Sequence, residues 1–328
     1  MEKIKVSVIG AGHLGSIHAK LWKSTSNAEL AGIFDIDKEK ALHVARDNDI
    51  KIFNTIDDAI FSSDAVTIAA PTSLHYEIAI KCIENKVHCF IEKPITASYS
   101  EAEELIANAK NNDVILQVGH VERFNPALIA LRDYNLDPMF IEAHRLSQFK
   151  PRAIDVSVIL DLMIHDIDIM LWLIKSKVSK IDANGVAVLT NTTDIANARI
   201  TFDNGAVANL TASRISANPM RKMRIFQPNA YISMDFGRQD VEVFRILDDD
   251  DKIEGNAVPA SMLGTIEAGI HNKKIYYEKP EVPEINAIAE EQRSFIEAVA
   301  NGSPAAVSAE EAAEALRIAE MISEQIGK

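Results

Sequence analysis

Short apolar runs alternate with helical patterns over the first third of the chain. The apolar runs predict strands, which we place near residues 3–9, 29–35, 64–70, 87–91 and 114–119. The segments between them predict helices over residues 13–24, 38–47, 73–86 and 99–111. Alternating short strands and helices are typical of a parallel sheet that is covered by helices on both faces. We therefore expect a doubly wound α/β domain over residues 1–122.

The pattern changes from about residue 138, where longer segments rich in Val, Ile, Phe and Thr begin. Residues 194–203 and 205–214 flank Asn204-Gly205, a dipeptide that is typical of hairpin turns. Further strands are predicted over 220–227, 230–236 and 240–247, and two helices near 285–301 and 308–326. The segment 255–285 shows no clear periodicity. Since antiparallel meanders do not belong in a doubly wound sheet, residues 123–328 are predicted to form an α+β domain with an open mixed or antiparallel sheet.

A glycine motif follows the first predicted strand and opens the first predicted helix, with the order Gly10-Ala11-Gly12-His13-Leu14-Gly15. Gly10 allows a tight turn, Gly12 lets a pyrophosphate approach the backbone, and Gly15 lets the helix pack closely on the strand. The helix N-terminus adds unpaired N–H groups and a partial positive charge. An ordinary glycine turn is the alternative, but the order of strand, glycines, helix and acidic residue favours a dinucleotide-binding Rossmann domain.

The acidic residue that completes this motif is Asp35, at the end of the second predicted strand. Its carboxylate is expected to accept hydrogen bonds from the adenosine ribose hydroxyls and to repel a 2′-phosphate. No Arg or Lys follows immediately in Phe34-Asp35-Ile36-Asp37. We therefore expect the cofactor to be NAD rather than NADP.

Composition narrows the class of protein and its partners. The chain has 328 residues, of which 47% are hydrophobic and 25% charged, so two globular domains can each bury a core. Its formal net charge of −14 argues against binding to nucleic acid or to an anionic membrane surface. Cys82 and Cys89 lie in apolar stretches without a C-x-x-C motif, which indicates buried thiols and a cytoplasmic protein.

An apolar segment of the second domain, residues 156–173, carries several ionisable side chains. In a regular helix, Asp161, His165 and Asp168 fall within about 60° of one another, while Asp166 points elsewhere. These groups could be a hydrogen-bonded part of the core, or share a metal ion, although two or three ligands on one helix leave a metal site incomplete. We adopt a third interpretation, in which no metal is bound and the imidazole of His165 is a general base that a carboxylate orients.

A second candidate for chemistry is Glu92-Lys93-Pro94, at the carboxyl end of a predicted parallel strand. Ligands of doubly wound folds bind outside the carboxyl ends of the strands. Lys93 can therefore reach the nicotinamide end of the cofactor cleft. A surface lysine before a proline turn is the alternative.

Together these segments resemble the glucose–fructose oxidoreductase and inositol 2-dehydrogenase (Gfo/Idh/MocA) family. The resemblance covers the glycine motif, Ala70-Pro71-Thr72 with His75, Glu92-Lys93-Pro94, Arg123-Phe124-Asn125-Pro126 and Asp161-x-x-x-His165. It implies that NAD is bound by Gly10, Gly12, His13, Leu14, Gly15, Asp35, Ala70, Pro71, Thr72, His75, Glu92 and Lys93. It further implies that His165 takes the proton of a substrate hydroxyl, that Lys93 polarises the same oxygen, and that Asp161 orients the pair. The open sheet is expected to serve as a homodimer or homotetramer interface.

Three longer segments are similar to the UDP-N-acetylglucosamine 3-dehydrogenases of this family: residues 119–126, 160–168 and 212–216. This similarity implies oxidation of the 3-hydroxyl of a nucleotide-linked amino sugar, with Glu122, Arg123, Asn125 and Arg214 at the substrate. A basic cluster of Arg214, Arg221, Lys222 and Arg224 could meet a diphosphate, or could pair with acidic residues as exposed strand charges often do. A dehydrogenase of a free sugar or cyclic polyol, an NAD-dependent glycosidase and a non-catalytic sugar sensor are the alternatives.

Overall fold

The computed structural model describes residues 2–150, 156–248, 261–268 and 271–327. Contacts between Cα atoms divide the chain into two units. The first comprises Met1–Val121 with Asn286–Glu320, and the second comprises Glu122–Ile285 with Met321–Lys328. In the described residues, no helix is long and apolar enough to cross a membrane.

The first unit is built on a six-stranded parallel sheet. Its strands are β1 (Ile4–Ile9), β2 (Ala28–Phe34), β3 (Lys51–Ile52), β4 (Ala65–Ile68), β5 (His88–Glu92) and β6 (Leu116–Gly119). Its first five helices are α1 (His13–Trp22), α2 (Lys38–Asn48), α3 (Ile56–Phe61), α4 (His75–Glu84) and α5 (Tyr99–Asn111). The strand order β3-β2-β1-β4-β5-β6 is that of a doubly wound dinucleotide-binding sheet. The chain adds strands outward from β1 on one side and then, from β4 onward, on the other side. The predicted Rossmann fold is confirmed.

The second unit is built on a nine-stranded sheet and a buried helix. Its elements are α6 (Pro126–Ile129), β7 (Phe140–Leu146), α7 (Ile164–Ile174), β8 (Val178–Val186), β9 (Ile195–Phe202), β10 (Val207–Ser213), β11 (Met220–Gln227), β12 (Ala230–Asp235), β13 (Asp240–Asp248), β14 (Ser261–Ala268) and β15 (His271–Glu278). Its strand order is β14-β15-β13-β12-β11-β7-β10-β9-β8. β7 and β10 pair in parallel, whereas the other described pairs are antiparallel, so the predicted mixed sheet is confirmed.

The hairpin predicted from Asn204-Gly205 joins β9 to β10. Gly205 has a φ of +86°, in the region that favours glycine. The amide of Ala206 donates to the Asn204 side chain at 3.1 Å, which closes the turn. This turn chemistry explains why the hairpin could be located from two residues.

The chain returns to the first unit through the helix α8 (Ala287–Asn301) and most of α9 (Ala309–Ile326). Phe295 of α8 packs edge-on against Trp22 and Phe90, with ring centroids 6.4 and 5.8 Å apart, in the core of that unit. The sequence places residues 286–320 in the second domain, and the structure differs here because α8 completes the core beside α1. The periodicity of a helix shows which face is apolar, but not which sheet that face covers.

Candidate active site

The glycine motif forms the turn between β1 and α1. Gly10 has a φ of +104°, and a Cβ there would lie 2.5 Å from the carbonyl oxygen of Ala69. A Cβ on Gly15 would lie 1.8 Å from the carbonyl oxygen of Gly10, so the close approach of helix and strand requires glycine at both positions. A Cβ on Gly12 would meet nothing within 4 Å. Gly12 is the N-cap of α1 and makes no side-chain cap, which leaves the first N–H groups of the helix open to an anion, beside the exposed His13 and Leu14.

A cavity of about 480 Å³ opens beside this turn. Its walls include the glycine loop, the end of β2 and the loop after β4, which contribute Gly10, Gly12, Asp35, Ala70 and Pro71 among the predicted cofactor residues. The two carboxylate oxygens of Asp35 accept hydrogen bonds from the amides of Ala11 at 2.6 Å and Asp37 at 2.8 Å. The open space at Gly12 and the carboxylate at the ribose end fit a dinucleotide.

Thr72 and His75 follow that lining on the loop after β4. Thr72 begins a short 3₁₀ turn, Thr72–Leu74, and His75 is the first residue of α4. The ring of His75 is buried, with Nε2 2.9 Å from the Ala70 carbonyl and Nδ1 2.9 Å from the Pro94 carbonyl. Burial lowers the pKa of His75, and these two carbonyl oxygens partly oppose that change. His75 therefore links the backbone after β4 to the backbone after β5 from inside the fold.

Lys93 follows the last residue of β5, as predicted, and is half-buried. The preceding residue, Glu92, is buried, and its Oε1 accepts a hydrogen bond from Nε2 of His18 at 2.6 Å. The side-chain amide of Gln292 on α8 donates to Nδ1 of His18 at 3.0 Å, which makes Nε2 the protonated ring nitrogen. His18 and Gln292 thus support the strand end that carries Lys93. The sequence analysis missed both, because Gln292 lies 274 residues from His18 along the chain and no local pattern links the two.

In the second unit, the predicted catalytic segment is not a regular helix throughout. Residues Ile159–Met163 form a π-helical turn, and α7 continues from Ile164. A π turn holds more residues than an α turn, so the spacing of 100° per residue does not apply across Asp161. Asp161 and His165 are half-buried, whereas Asp166 and Asp168 are buried. In the described residues, no group of three or more His, Cys, Asp or Glu side chains is placed to hold a metal ion.

Asp168 is held by a buried arginine. Arg123 donates from Nε and Nη2 to its two carboxylate oxygens at 2.7 and 2.6 Å. The Arg123 guanidinium also lies over the ring of Trp172, 5.7 Å from its centre. Of the interpretations of this segment, a hydrogen-bonded core therefore describes Asp168. The predicted contact of Arg123 with substrate stays a prediction.

Asp166 is held in the same way by Arg145 of β7. Arg145 donates from Nε and Nη2 to Asp166 at 3.0 and 2.7 Å, and from Nη1 to Glu122 at 2.7 Å. The second oxygen of Glu122 accepts from the Asn125 side chain at 3.0 Å. Burial on its own lowers the pKa of Arg145, but the two carboxylates outweigh burial and raise that pKa above its usual value. Burial raises the pKa of Asp166, and Arg145 opposes that rise.

Arg145 is the residue of this network that the sequence analysis missed. A signal was present, because Arg145 alternates with Ile141 and Ala143 on the buried face of β7. An arginine at an inward-facing strand position indicates a buried acidic partner.

Arg214 is also buried, and its Nη2 donates to the backbone carbonyl of Val156, just before the π-helical turn. Its Nε lies 3.9 Å from Asp194, whose Oδ2 accepts the amides of Val188, Leu189 and Thr190 at 2.6–2.9 Å. Burial raises the pKa of Asp194, but these hydrogen bonds outweigh it and lower the pKa to about 2. Asp194 therefore anchors the loop that precedes β9, next to the start of the apolar segment 156–173.

Carboxylates accompany the remaining members of the basic cluster. Arg221 lies 3.9 Å from Glu122, and Lys222 lies 3.7 Å from Asp235. Arg224 pairs with Glu142 at 2.9 Å. These distances favour the pairing of strand charges over a diphosphate site, and a contact of Arg214 with substrate stays a prediction.

Comparison with known proteins identifies the family. A family model described as "Oxidoreductase family, NAD-binding Rossmann fold" (GFO_IDH_MocA) matches residues 4–120, and the "GFO/IDH/MocA C-terminal domain" matches residues 119–233. A UDP-N-acetylglucosamine 3-dehydrogenase of Acidithiobacillus ferrooxidans is 41% identical over 245 residues, which cover 74% of this chain and 78% of that relative. The chain belongs to the Gfo/Idh/MocA family.

A further relative and two solved structures are also similar to this chain. A scyllo-inositol 2-dehydrogenase (NAD(+)) of Bacillus subtilis is 32% identical, over 66% of this chain and 68% of that relative. The solved structure of the Acidithiobacillus ferrooxidans UDP-N-acetylglucosamine 3-dehydrogenase superposes with a TM-score of 0.88 at 34% identity, over 99% of this chain and 98% of that chain. Levoglucosan dehydrogenase in complex with NADH and levoglucosan shares the fold, with a TM-score of 0.83 at 19% identity, over 99% of this chain and 98% of that chain. Family membership confirms the predicted oxidoreductase class and NAD as the cofactor.

Proposed function

We propose that this Gfo/Idh/MocA oxidoreductase oxidises the 3-hydroxyl of a UDP-linked N-acetylamino sugar. The observation that carries the proposal is the similarity to UDP-N-acetylglucosamine 3-dehydrogenase, at 41% identity over most of that relative and 34% over nearly all of its solved structure. The inositol dehydrogenase relative is less similar and matches a smaller part of its own length. This ranking favours a nucleotide sugar over a free polyol.

The cofactor side of the proposed site lies in residues 1–122. Gly10, Gly12, His13, Leu14 and Gly15 offer backbone N–H groups to the pyrophosphate, and Asp35 binds the adenosine ribose. Ala70 and Pro71 line the cavity, Thr72 follows them on the same loop, and His75 lies against the carbonyl of Ala70. Glu92 is fixed by His18 and in turn fixes the backbone that carries Lys93.

The chemistry is assigned to three side chains. His165 removes the proton of the sugar hydroxyl, and the ammonium of Lys93 binds the same oxygen and stabilises its developing negative charge. Asp161 orients these two groups and stabilises the imidazolium that His165 becomes. NAD, when bound, supplies the acceptor for the hydride of the carbon that bears the hydroxyl.

The substrate side is assigned to residues 123–328 together with Glu122 at the boundary. Arg145 holds Glu122 directly and, through Asp166, the start of α7 from the interior. Arg123, Asn125 and Arg214 are the three remaining proposed substrate residues, and all three are buried. Arg123 is held by Asp168, Asn125 accepts the amide of Ala127, and Arg214 donates to the carbonyl of Val156.

A substrate screen tests the proposal. With NAD⁺ and the purified full chain, we expect NADH to form with UDP-N-acetylglucosamine at least tenfold faster, measured as kcat/KM, than with N-acetylglucosamine or myo-inositol. The free compounds lack the contacts to the nucleotide that stabilise the transition state. A tenfold ratio in kcat/KM corresponds to a loss of about 1.4 kcal/mol of that stabilisation. UDP-glucose is the matched control for the N-acetyl group.

With aryl glycosides and calorimetry added to the screen, three results contradict the proposal. Activity on free polyols alone assigns the chain to the inositol dehydrogenases. Cleavage of aryl glycosides without net NADH assigns it to the NAD-dependent glycosidases. Sugar binding by calorimetry without turnover of any of these compounds makes it a sensor.

We also propose that the chain forms a homodimer or homotetramer through its nine-stranded sheet. An aromatic row crosses one face of that sheet, with successive ring centroids 5.0–5.8 Å apart, and consists of Phe140, Phe226, Tyr231, Phe244 and Tyr277. Phe226 is 40% exposed in the single chain. Sedimentation of the wild type as a dimer or tetramer, and of Phe226→Glu as smaller species, is the expected result. A monomeric wild type contradicts it.

A cytoplasmic location is part of the same proposal, because Cys82 and Cys89 are buried free thiols. Cell fractionation that recovers the chain with cytoplasmic markers is the expected result, and recovery with an exported fraction contradicts it.

A further inference from the structure

A lysine lies in the cofactor cavity beside the carboxylates that follow β2. The walls of this cavity include Asp35, Asp37 and Lys40. No basic residue is adjacent to Asp35 in the sequence, but the first turn of α2 brings Lys40 back to the cavity. A ribose with two free hydroxyls has no negative charge for an ammonium to bind, whereas a 2′-phosphate carries a charge of about −1.5 to −2. The presence of Lys40 therefore raises the question of what prevents this cavity from accepting NADP.

The carboxylate of Asp37 forms an ion pair with the ammonium group of Lys40. One carboxylate oxygen of Asp37 lies 3.4 Å from Nζ of Lys40. The other oxygen accepts the amides of Glu39 and Lys40 at 3.1 and 3.3 Å, as the N-cap of α2. The hydrogen bond from the Lys40 amide is the main reason why the pKa of Asp37 is lowered, so the carboxylate is ionised near neutral pH. With Asp35, the cavity presents two negative charges and one positive charge at this end.

We propose that Asp37 is a second specificity-determining residue of the cofactor site, because its carboxylate neutralises Lys40 and, together with Asp35, repels a 2′-phosphate. Asp35 has a further task, since its oxygens hold the amides of Ala11 and Asp37 and so shape the glycine loop. Among the residues that the structure describes, no hydrogen bond joins the Asp37 side chain to the glycine loop, so its substitution changes the charge without removing a contact to that loop. This inference depends on the cofactor site alone and not on the sugar proposed above.

The variant Asp37→Asn isolates the charge. Asparagine is as good an N-cap as aspartate, so α2 keeps its cap while one unit of negative charge is removed. We expect the affinity of the full chain for adenosine 2′,5′-bisphosphate, measured by titration calorimetry, to rise about tenfold. The affinity for 5′-AMP, which lacks the 2′-phosphate, is expected to stay within about twofold. The gain is expected to shrink as salt is added, because the charges involved are exposed.

Two controls separate this mechanism from a general change of charge. Glu39→Gln removes the same charge from the same turn of α2 but does not line the cavity, and we expect it to leave both affinities unchanged. Adding Lys40→Met to Asp37→Asn is expected to abolish the gain. The inference is overturned if Asp37→Asn binds adenosine 2′,5′-bisphosphate no better than Glu39→Gln does, or if the gain survives the loss of Lys40. Neither measurement requires a sugar or turnover, so the result is independent of the proposed substrate.

Discussion

Replacing either Lys93 or His165 with alanine is expected to lower the turnover number at least a hundredfold. Removing a general acid or base from a dehydrogenase costs about 10²–10⁴ in rate, since the alcohol proton no longer has a positioned acceptor. Loss of the Lys93 ammonium removes the charge that stabilises the alkoxide, with an effect of similar size. Turnover with NAD⁺ and the best sugar of the screen gives the measurement.

Matched substitutions on the surface serve as controls for this pair. His43→Ala removes an imidazole that is 79% exposed on α2, and Lys180→Ala removes an ammonium that is 67% exposed on β8. Both controls should retain the wild-type turnover number, and Lys93→Ala and His165→Ala should still bind NADH. Near-normal turnover in both alanine variants would remove the proposed mechanism.

Arg145→Met is expected to lower the free energy of unfolding by about 3–5 kcal/mol, the usual cost of removing one partner from a buried ion pair. Without the guanidinium, the carboxylates of Asp166 and Glu122 remain buried beside each other and have lost the cation that pairs with both. Urea unfolding, followed by tryptophan fluorescence, measures the change. The control is Arg224→Met on the neighbouring strand, where the pair with Glu142 is about half-exposed and worth about 0–1 kcal/mol.

The pH dependence of the stability of Arg145→Met distinguishes an electrostatic role of Arg145 from a packing role. Burial already raises the pKa of Asp166 above its unfolded value, and the loss of Arg145, which opposes that rise, raises it further. The folded state then binds more protons than the unfolded state, so stability should recover as the pH is lowered from 7 towards 5. A deficit that is constant over this range would mean that Arg145 acts through packing alone. A deficit no larger than that of Arg224→Met would contradict the account of the buried network.

Periodicity was sufficient for most of the first unit, because its strands are short, buried runs and its helices are amphipathic. The elements that it missed there are β3, which has two residues, and α3, which has six. Neither is long enough to show a period of 2 or 3.6. The capping box of Thr55 and Asp58 was the available signal for α3.

The second unit was harder to predict, for reasons that differ from element to element. β8 is an edge strand, and the alternation of its exposed and less exposed positions is broken at Ser179 and Lys180, where its register with β9 shifts. β14 and β15 fall in the segment 255–285, of which residues 255–260 and 269–270 lie outside the described residues. The π-helical turn at Ile159–Met163 has no sequence signature of its own, since it depends on how the segment packs.

The candidate site was predictable where a single element carries the chemistry. The glycine loop, Asp35 and the strand end at Lys93 each follow from a local motif. Supporting partners come from other elements of the chain, since Gln292 lies 274 residues from His18 and Arg145 lies 21 residues from Asp166. Lys40 was missed because the motif compares neighbours in sequence, whereas the first turn of α2 makes residues 37 and 40 neighbours in space.

Transfer of label from a specifically deuterated substrate tests the central claim most directly. UDP-N-acetylglucosamine carrying deuterium at C3 of the sugar is incubated with NAD⁺ and the purified chain, and the nucleotide product is examined by mass spectrometry. The account predicts NADH that carries the deuterium, together with a UDP-linked 3-keto sugar that has lost it. Unlabelled NADH, or a sugar product that retains the deuterium at C3, would contradict oxidation at that position.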